Sequence, residues 1–195
     1  MKERILQEAT RLFTERGYRG VALRELAEIC GVTQAAFYYH FRNKEAILLA
    51  ILETYLEETG ADIDAIRSQG GSAAAQLRRI VQALFRQRPD QRAVIRLAMQ
   101  ESNHLEPEAR RKFADLYFQR FTGQIEALLR QGIAQGEFRS LDSEMYTWML
   151  LGMIFPFVTR GMRENESGFD GLETAQAIMD TFLWGIDVSE EEEIL

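Results

Sequence analysis

The sequence is short of several things, and each shortage removes a class of function. One cysteine, Cys30, stands among 195 residues, so no disulfide closes within a chain and no cluster of thiolates can hold a metal. That count favours a reducing, cytoplasmic setting. Only 3 prolines interrupt the chain, and only 2 histidines, His40 and His104, are available for metal binding or proton transfer. Long hydrophobic runs are missing too. The longest, Met145 to Val158, holds 14 residues, whereas a helical membrane span needs about 20. It reads as a buried helix, and no membrane partner is expected. The start, Met1 to Ala9, is charged and helix-like, with no apolar signal region behind it. There is no glycine-rich phosphate loop, no nucleophile elbow and no zinc-ligand spacing. The chain reads as a non-enzyme with no cofactor and no metal.

Positive charge is also in deficit. The chain carries 23 Lys and Arg against 30 Asp and Glu, a net of −7, with a sequence pI near 5.0. At face value that balance argues against a nucleic-acid partner. It is uneven along the chain, however. Residues 1–46 hold eight bases against six acids, a net of +2, which leaves −9 for the remainder. The acidity belongs to the C-terminal part, where Glu190–Glu193 reads as a solvated end.

What the chain does have is apolar material, 46% of its residues, enough for a core and too much for disorder. These residues recur at three- and four-residue spacing almost throughout, so the class is all-α with about nine helices. Ile5, Leu6, Ala9, Leu12 and Phe13 mark the first helix, closed near Gly17. Leu23, Leu26, Ala27 and Cys30 mark the second, ending at Gly31. Thr33 is a good N-cap for a third that runs through Phe37 to about His40. Asn43 looks like the N-cap of a fourth, with Ile47, Leu48, Ile51, Leu52, Tyr55 and Leu56 on one face. Ser68–Ser72 is the clearest loop. A fifth helix carries Leu77, Ile80, Val81, Leu84 and Phe85, and a sixth spans about Asp90 to Asn103. Pro107 opens a long seventh with Phe113, Leu116, Tyr117, Phe121, Ile125, Leu128 and Leu129 as its stripe. Gly136–Leu141 is a connector. The eighth helix, about Ser143 to Met162, is apolar on most of its circumference and contains Pro156, which should kink it. Asn165–Gly171 reads as a loop before a ninth helix with Leu172, Ile178, Met179, Phe182, Leu183 and Ile186.

The informative stretch is Leu23–Lys44. Two short helices flank Gly31-Val32-Thr33, and glycine suits the sharp turn because it takes positive φ without steric cost. Leu26, Ala27, Val32 and Phe37 can pack the pair together. This is a helix-turn-helix pattern, whose second helix enters the major groove of DNA. Gly17-Tyr18, Leu26-Ala27, Gly31-Val32-Thr33, Phe37-Tyr38-Tyr39-His40-Phe41 and Lys44-Glu45 resemble the N-terminal signature of TetR-family transcriptional regulators. The resemblance implies a helix-turn-helix DNA-binding domain over residues 1–46 and an effector-binding, dimerisation domain over 47–195. It implies that Thr33, Gln34, Ala35 and Ala36 lie at the DNA end of the recognition helix, with the last three facing base edges. Tyr38, Tyr39, His40 and Lys44 resemble positions that reach phosphates, and Arg24 one that some members use on a base or phosphate. The chemistry suits those roles: Gln can address adenine, Arg guanine, and an Ala methyl the thymine methyl. Family members usually carry a small hydroxyl residue where Val21 or Ala22 stands, and often a Gly or Pro where Ala35 stands.

In that family the C-terminal region forms the dimer and encloses an effector. Candidates for lining a pocket are Met99, Phe113, Tyr117, Phe118, Phe121, Trp148 and Met149; few charges accompany them, which favours an apolar or amphipathic small molecule. Candidates for the seam of a homodimer are Phe155, Phe157, Phe182 and Trp184, with Trp148 beside them. The expected function is a ligand-responsive regulator, a repressor released from a pseudo-palindromic operator in double-stranded DNA. Two other readings stand beside it. One is an all-helical dimeric interaction module that has lost DNA binding. The other is a metal-dependent enzyme built around Glu101 and His104, whose Glu-x-x-His spacing belongs to di-iron bundles that need two such elements.

Overall fold

The structure is a computed structural model that describes residues 1–160 and 171–187. The Glu190–Glu193 run, residues 165–170 of the expected loop and the last two residues of the expected eighth helix lie outside the described residues. In chain order the helices are α1 (Lys2–Arg16), α2 (Leu23–Ile29), α3 (Gln34–His40), α4 (Lys44–Ser68), α5 (Ala73–Arg86), α6 (Pro89–Glu101), α7 (Pro107–Tyr117), α8 (Gly123–Ala134), α9 (Ser143–Arg160) and α10 (Gly171–Trp184). A 3-10 turn, Ser102–His104, links α6 to α7, and a π turn, Phe118–Thr122, links α7 to α8. Among the described residues the one strand-like feature is an isolated antiparallel bridge between Phe138 and Asp187.

The helices gather into two compact units. The first comprises Met1–Glu58 and Arg88–Tyr117. Its core takes Ile5, Leu12 and Phe13 from α1, Leu26 from α2, Phe37 from α3, Ile47, Leu48 and Leu52 from α4, and Val94 and Leu97 from α6. α1 packs on both α2 and α6, so the helix-turn-helix is braced from behind. Thr33 Oγ1 accepts the Ala36 N–H at 3.2 Å, and Asn43 Oδ1 accepts the Ala46 N–H at 2.8 Å. Both caps satisfy amides that a helix start leaves without partners.

The second unit comprises Thr59–Gln87 and the described residues from Phe118 onward. α5 packs against α8 and α10, and α9 against α8 and α10. Leu77 and Ile80 meet a core that includes Ile125, Leu128, Leu129, Leu150, Ile154 and Met179, all buried. The Gly136–Leu141 connector holds more than its composition suggests. Phe138 is buried, Arg139 donates its N–H to Ile186 O at 3.0 Å, and the Glu137 carboxylate accepts the amides of Ala73 and Ala74 at 3.0 and 3.2 Å. Glu137 thus caps the start of α5 together with Ser72.

The long seventh helix of the sequence reading is seen as α7, the π turn and α8. Phe113, Tyr117, Phe121, Ile125 and Leu129 stand at a constant spacing of four. An α-helix turns about 100° per residue, so each such step drifts by about 40°. A widened turn takes up that drift, and it falls in the middle of the run.

Gly132, inside α8, shows how closely the connector is packed. A Cβ built there would lie 2.2 Å from the Phe138 ring and 3.1 Å from the Ala73 Cβ. Gly132→Ala should therefore destabilise the protein by about 2 kcal/mol through overpacking, measured as a lower urea midpoint. Helix propensity alone would act the other way, by about 1 kcal/mol.

Candidate nucleic-acid interface

α3 has seven residues, of which Phe37 is the buried one. Gln34, Ala35, Ala36, Tyr38 and Tyr39 are all exposed, and His40 is half-buried. Exposure reaches 54% for Tyr38 and 86% for Tyr39, high for aromatic side chains with nothing covering them. Phe37 and Phe41 turn inward, their ring centroids 6.5 Å apart, and Tyr39 meets the His40 ring edge-on at 5.3 Å. The helix therefore presents a neutral, polar-tipped face: one amide, two methyls and two phenols. Gly31, with φ of +65°, makes the turn that sets α3 across α2. Arg24 is exposed on α2 and pairs with Glu28 at 3.0 Å. Such exposed pairs are weak, worth about 0.3–0.5 kcal/mol on a helix, so Glu28 holds Arg24 only loosely.

Lys44 is half-buried at the start of α4. Its ammonium lies 4.5 Å from the centre of the Tyr18 ring and 5.6 Å from that of Phe13. Burial lowers its pKa, and the Glu101 carboxylate works against that shift. Burial raises the Tyr18 phenol, and Glu45 and Glu101 raise it further. The next residue, Glu45, accepts the Glu106 backbone N–H at 2.6 Å. The first turn of α4 is thus tied to the end of α6 and the start of α7. Sequence reasoning missed Glu101 and Glu106 as its partners, because neither lies near Lys44 in the chain.

Residues 5–51 match the family model described as bacterial regulatory proteins, tetR family, and residues 70–157 match a tetracyclin repressor-like C-terminal domain. The crystal structure of the TetR-family transcriptional regulator PfmR from Thermus thermophilus is 31% identical and superposes with a TM-score of 0.78, covering 93% of this chain and 97% of that one. The chain belongs to the TetR family. Within that family it is 26% identical to the transcriptional repressor KstR2 of Rhodococcus jostii, over 72% of this chain and 70% of the relative. It is 44% identical to the uncharacterized HTH-type regulator YerO of Bacillus subtilis, over 28% of this chain and 19% of YerO's length.

The other residues that the TetR resemblance brings forward are divided between the two units. In the first unit, Phe113 and Tyr117 lie together, ring centroids 6.0 Å apart, and Met99 is exposed. In the second, Phe121 is buried against Phe155 at 6.3 Å, while Phe118, Trp148 and Met149 are exposed. Phe182 is buried against Tyr146, and Phe157 and Trp184 are exposed. Burial raises the Cys30 thiol, so this side chain acts as a small apolar filler. His104 is exposed in the 3-10 turn, and among the described residues no three His, Cys, Asp or Glu side chains gather as a metal site.

Ala22 occupies the N-cap of α2 with φ −87° and ψ 143°, backbone angles that suit a capping residue, yet it has no side-chain acceptor. Ala22→Ser should add the missing cap and raise stability by about 1 kcal/mol, read as a higher urea midpoint with an unchanged slope. An unchanged midpoint would mean that the amides of Arg24 and Glu25 gain nothing from the hydroxyl.

Proposed function

We propose that this TetR-family protein is a ligand-responsive repressor that binds a pseudo-palindromic operator in double-stranded DNA as a homodimer. The observation that carries this is α3, a braced helix exposing Gln34, Ala35, Ala36, Tyr38 and Tyr39 while burying Phe37. Gln34 and the two alanines are suited to base edges in the major groove. The phenols of Tyr38 and Tyr39, with His40 and Thr33 near the same surface, are suited to phosphate oxygens. Two copies of α3 related by a twofold axis would enter successive major grooves about 34–36 Å apart. KstR2, a named repressor among its relatives, supports repression as the sense of regulation.

The homodimer is supported by α9. Met145, Trp148, Met149, Gly152, Pro156 and Phe157 form one stripe along it and are all exposed. Trp148 is 54% exposed, and Trp184 on α10 is 68% exposed. So much apolar surface on one helix is rarely left in water, and a second copy of the same face would bury it. We assign the protein no catalysis, no cofactor and a cytoplasmic setting. Among the described residues no helix is long and apolar enough to cross a membrane.

Selection of bound fragments from genomic DNA with the purified protein tests the reading, and enrichment of one pseudo-palindrome is the expected result. No enrichment at any salt concentration would favour the interaction module. On the selected operator, Gln34→Ala should cost about 1–3 kcal/mol and relax preference at one base pair. Tyr39→Phe should instead weaken all sequences alike by about 1 kcal/mol, the worth of one hydrogen bond. Binding titrations against a panel of single-base variants separate the two patterns.

Trp148→Glu, placed in the α9 stripe, should convert the dimer to a folded monomer in sedimentation and reduce operator affinity at least tenfold. A dimer that survives this substitution with its affinity intact would remove α9 from the seam.

A further inference from the structure

Along α7, Pro107, Arg110, Ala114 and Tyr117 fall on one helical face. With Ser102, Asn103, Arg111 and Phe113 they line an open cleft of about 460 Å³, wholly within the first unit. Its aromatic part is the Phe113–Tyr117 pair, the two rings tilted 31° to each other. Burial raises the Tyr117 phenol, which therefore stays neutral. Arg110 and Arg111 are exposed on the same short stretch, and among the described residues neither guanidinium forms an ion pair. Lys112, the base beside them, is already held by Glu53 at 2.6 Å. Ala114 between these groups is small enough to leave the cleft open.

We propose that this cleft binds a small molecule with a flat or apolar body and an anionic head, a carboxylate, sulfonate or phosphate held by Arg110 and Arg111. The proposal rests on the effector reading above and gives that effector a charge. A guanidinium matches an oxyanion with paired donors and also lies flat on an aromatic body. Phe113 and Tyr117 supply the apolar floor, and Ser102 and Asn103 supply neutral polar groups at the end nearest the 3-10 turn. Glu106, whose amide is bound by Glu45, adjoins that end. A ligand seated here presses on the segment that holds the first turn of α4.

Two fluorescent probes with the same aromatic body test it on the full chain. 8-Anilinonaphthalene-1-sulfonate carries the anion and N-phenyl-1-naphthylamine lacks it. The expected result is tighter binding of the sulfonate, with a Kd raised at least tenfold in the Arg110→Gln/Arg111→Gln double variant, as for loss of charged hydrogen bonds. The neutral probe should change by less than about twofold in that variant, since it makes no such bonds. Ala114→Phe, which fills the cleft from an exposed position, should weaken both probes. Equal affinity for the two probes overturns the anionic class. Sulfonate binding that survives both the double variant and Ala114→Phe overturns the site, as does no binding of either probe. Operator binding measured on the same samples without probe keeps the regulator reading separate: its loss in the wild-type chain sinks that reading and leaves the probe result standing.

Discussion

The exposure of five side chains on a helix of seven residues depends on the burial of Phe37 beneath them. A helix this short is unstable alone in water, where isolated helices below about 12 residues are marginal. Phe37 is 1% exposed, and full burial of such a ring is worth about 1.5–3 kcal/mol. That anchor, the Thr33 cap and the Phe41 ring just past its end fix the orientation of α3. Because the inward residue is one large ring, the other positions are released from packing duty. Gln34, Ala35 and Ala36 are therefore open to change without cost to the core.

The same logic runs backward from α3 into α4. Lys44 lies over Tyr18 and Phe13, and Glu45 holds the Glu106 amide. The first turn of α4 is thus bound to α1, α6 and α7 within a single unit. A shift of the Ser102–Pro107 segment must therefore either break the Glu45–Glu106 hydrogen bond or carry the first turn of α4 with it. That segment also forms one end of the cleft. Binding and release can be coupled here without any change to the buried apolar core, provided that a ligand favours one arrangement of the segment over the other.

Much of this was legible in the sequence, and the reasons differ by element. The caps at Thr33 and Asn43 are local hydrogen bonds, so spacing alone reveals them. The inward faces of α1 to α4 follow from strong periodicity. The π turn was not legible: the stripe from Phe113 to Leu129 suggests one long helix, and the drift hidden in its steps of four is taken up by Phe118–Thr122. Glu137 capping α5 and Glu45 reaching Glu106 join residues 64 and 61 positions apart, and Phe138 filling the space over Gly132 turns on shape at close range. No periodicity reports such contacts. Arg110 and Arg111 were hidden for another reason: the apolar stripe of α7 drew attention to Phe113 and Tyr117 and away from the basic residues that share or flank their face.

Charge gains its meaning from this placement. The net of −7 would put the chain among proteins that avoid DNA, and even the N-terminal excess of two is small. The exposed face of α3 carries no formal charge at all, Arg24 is paired with Glu28, and Lys44 is folded over aromatic rings. Contacts from amides and phenols release few counterions, so each head should show a shallow dependence on salt. Weak electrostatics also means weak binding to random sequence, since that binding is almost wholly ionic. A single head of this kind would be both selective and feeble. Two heads in a dimer add their free energies while the charge on each stays small. On the proposal that the exposed apolar stripe of α9 forms the dimer seam, that stripe is a condition of DNA recognition as well as of assembly.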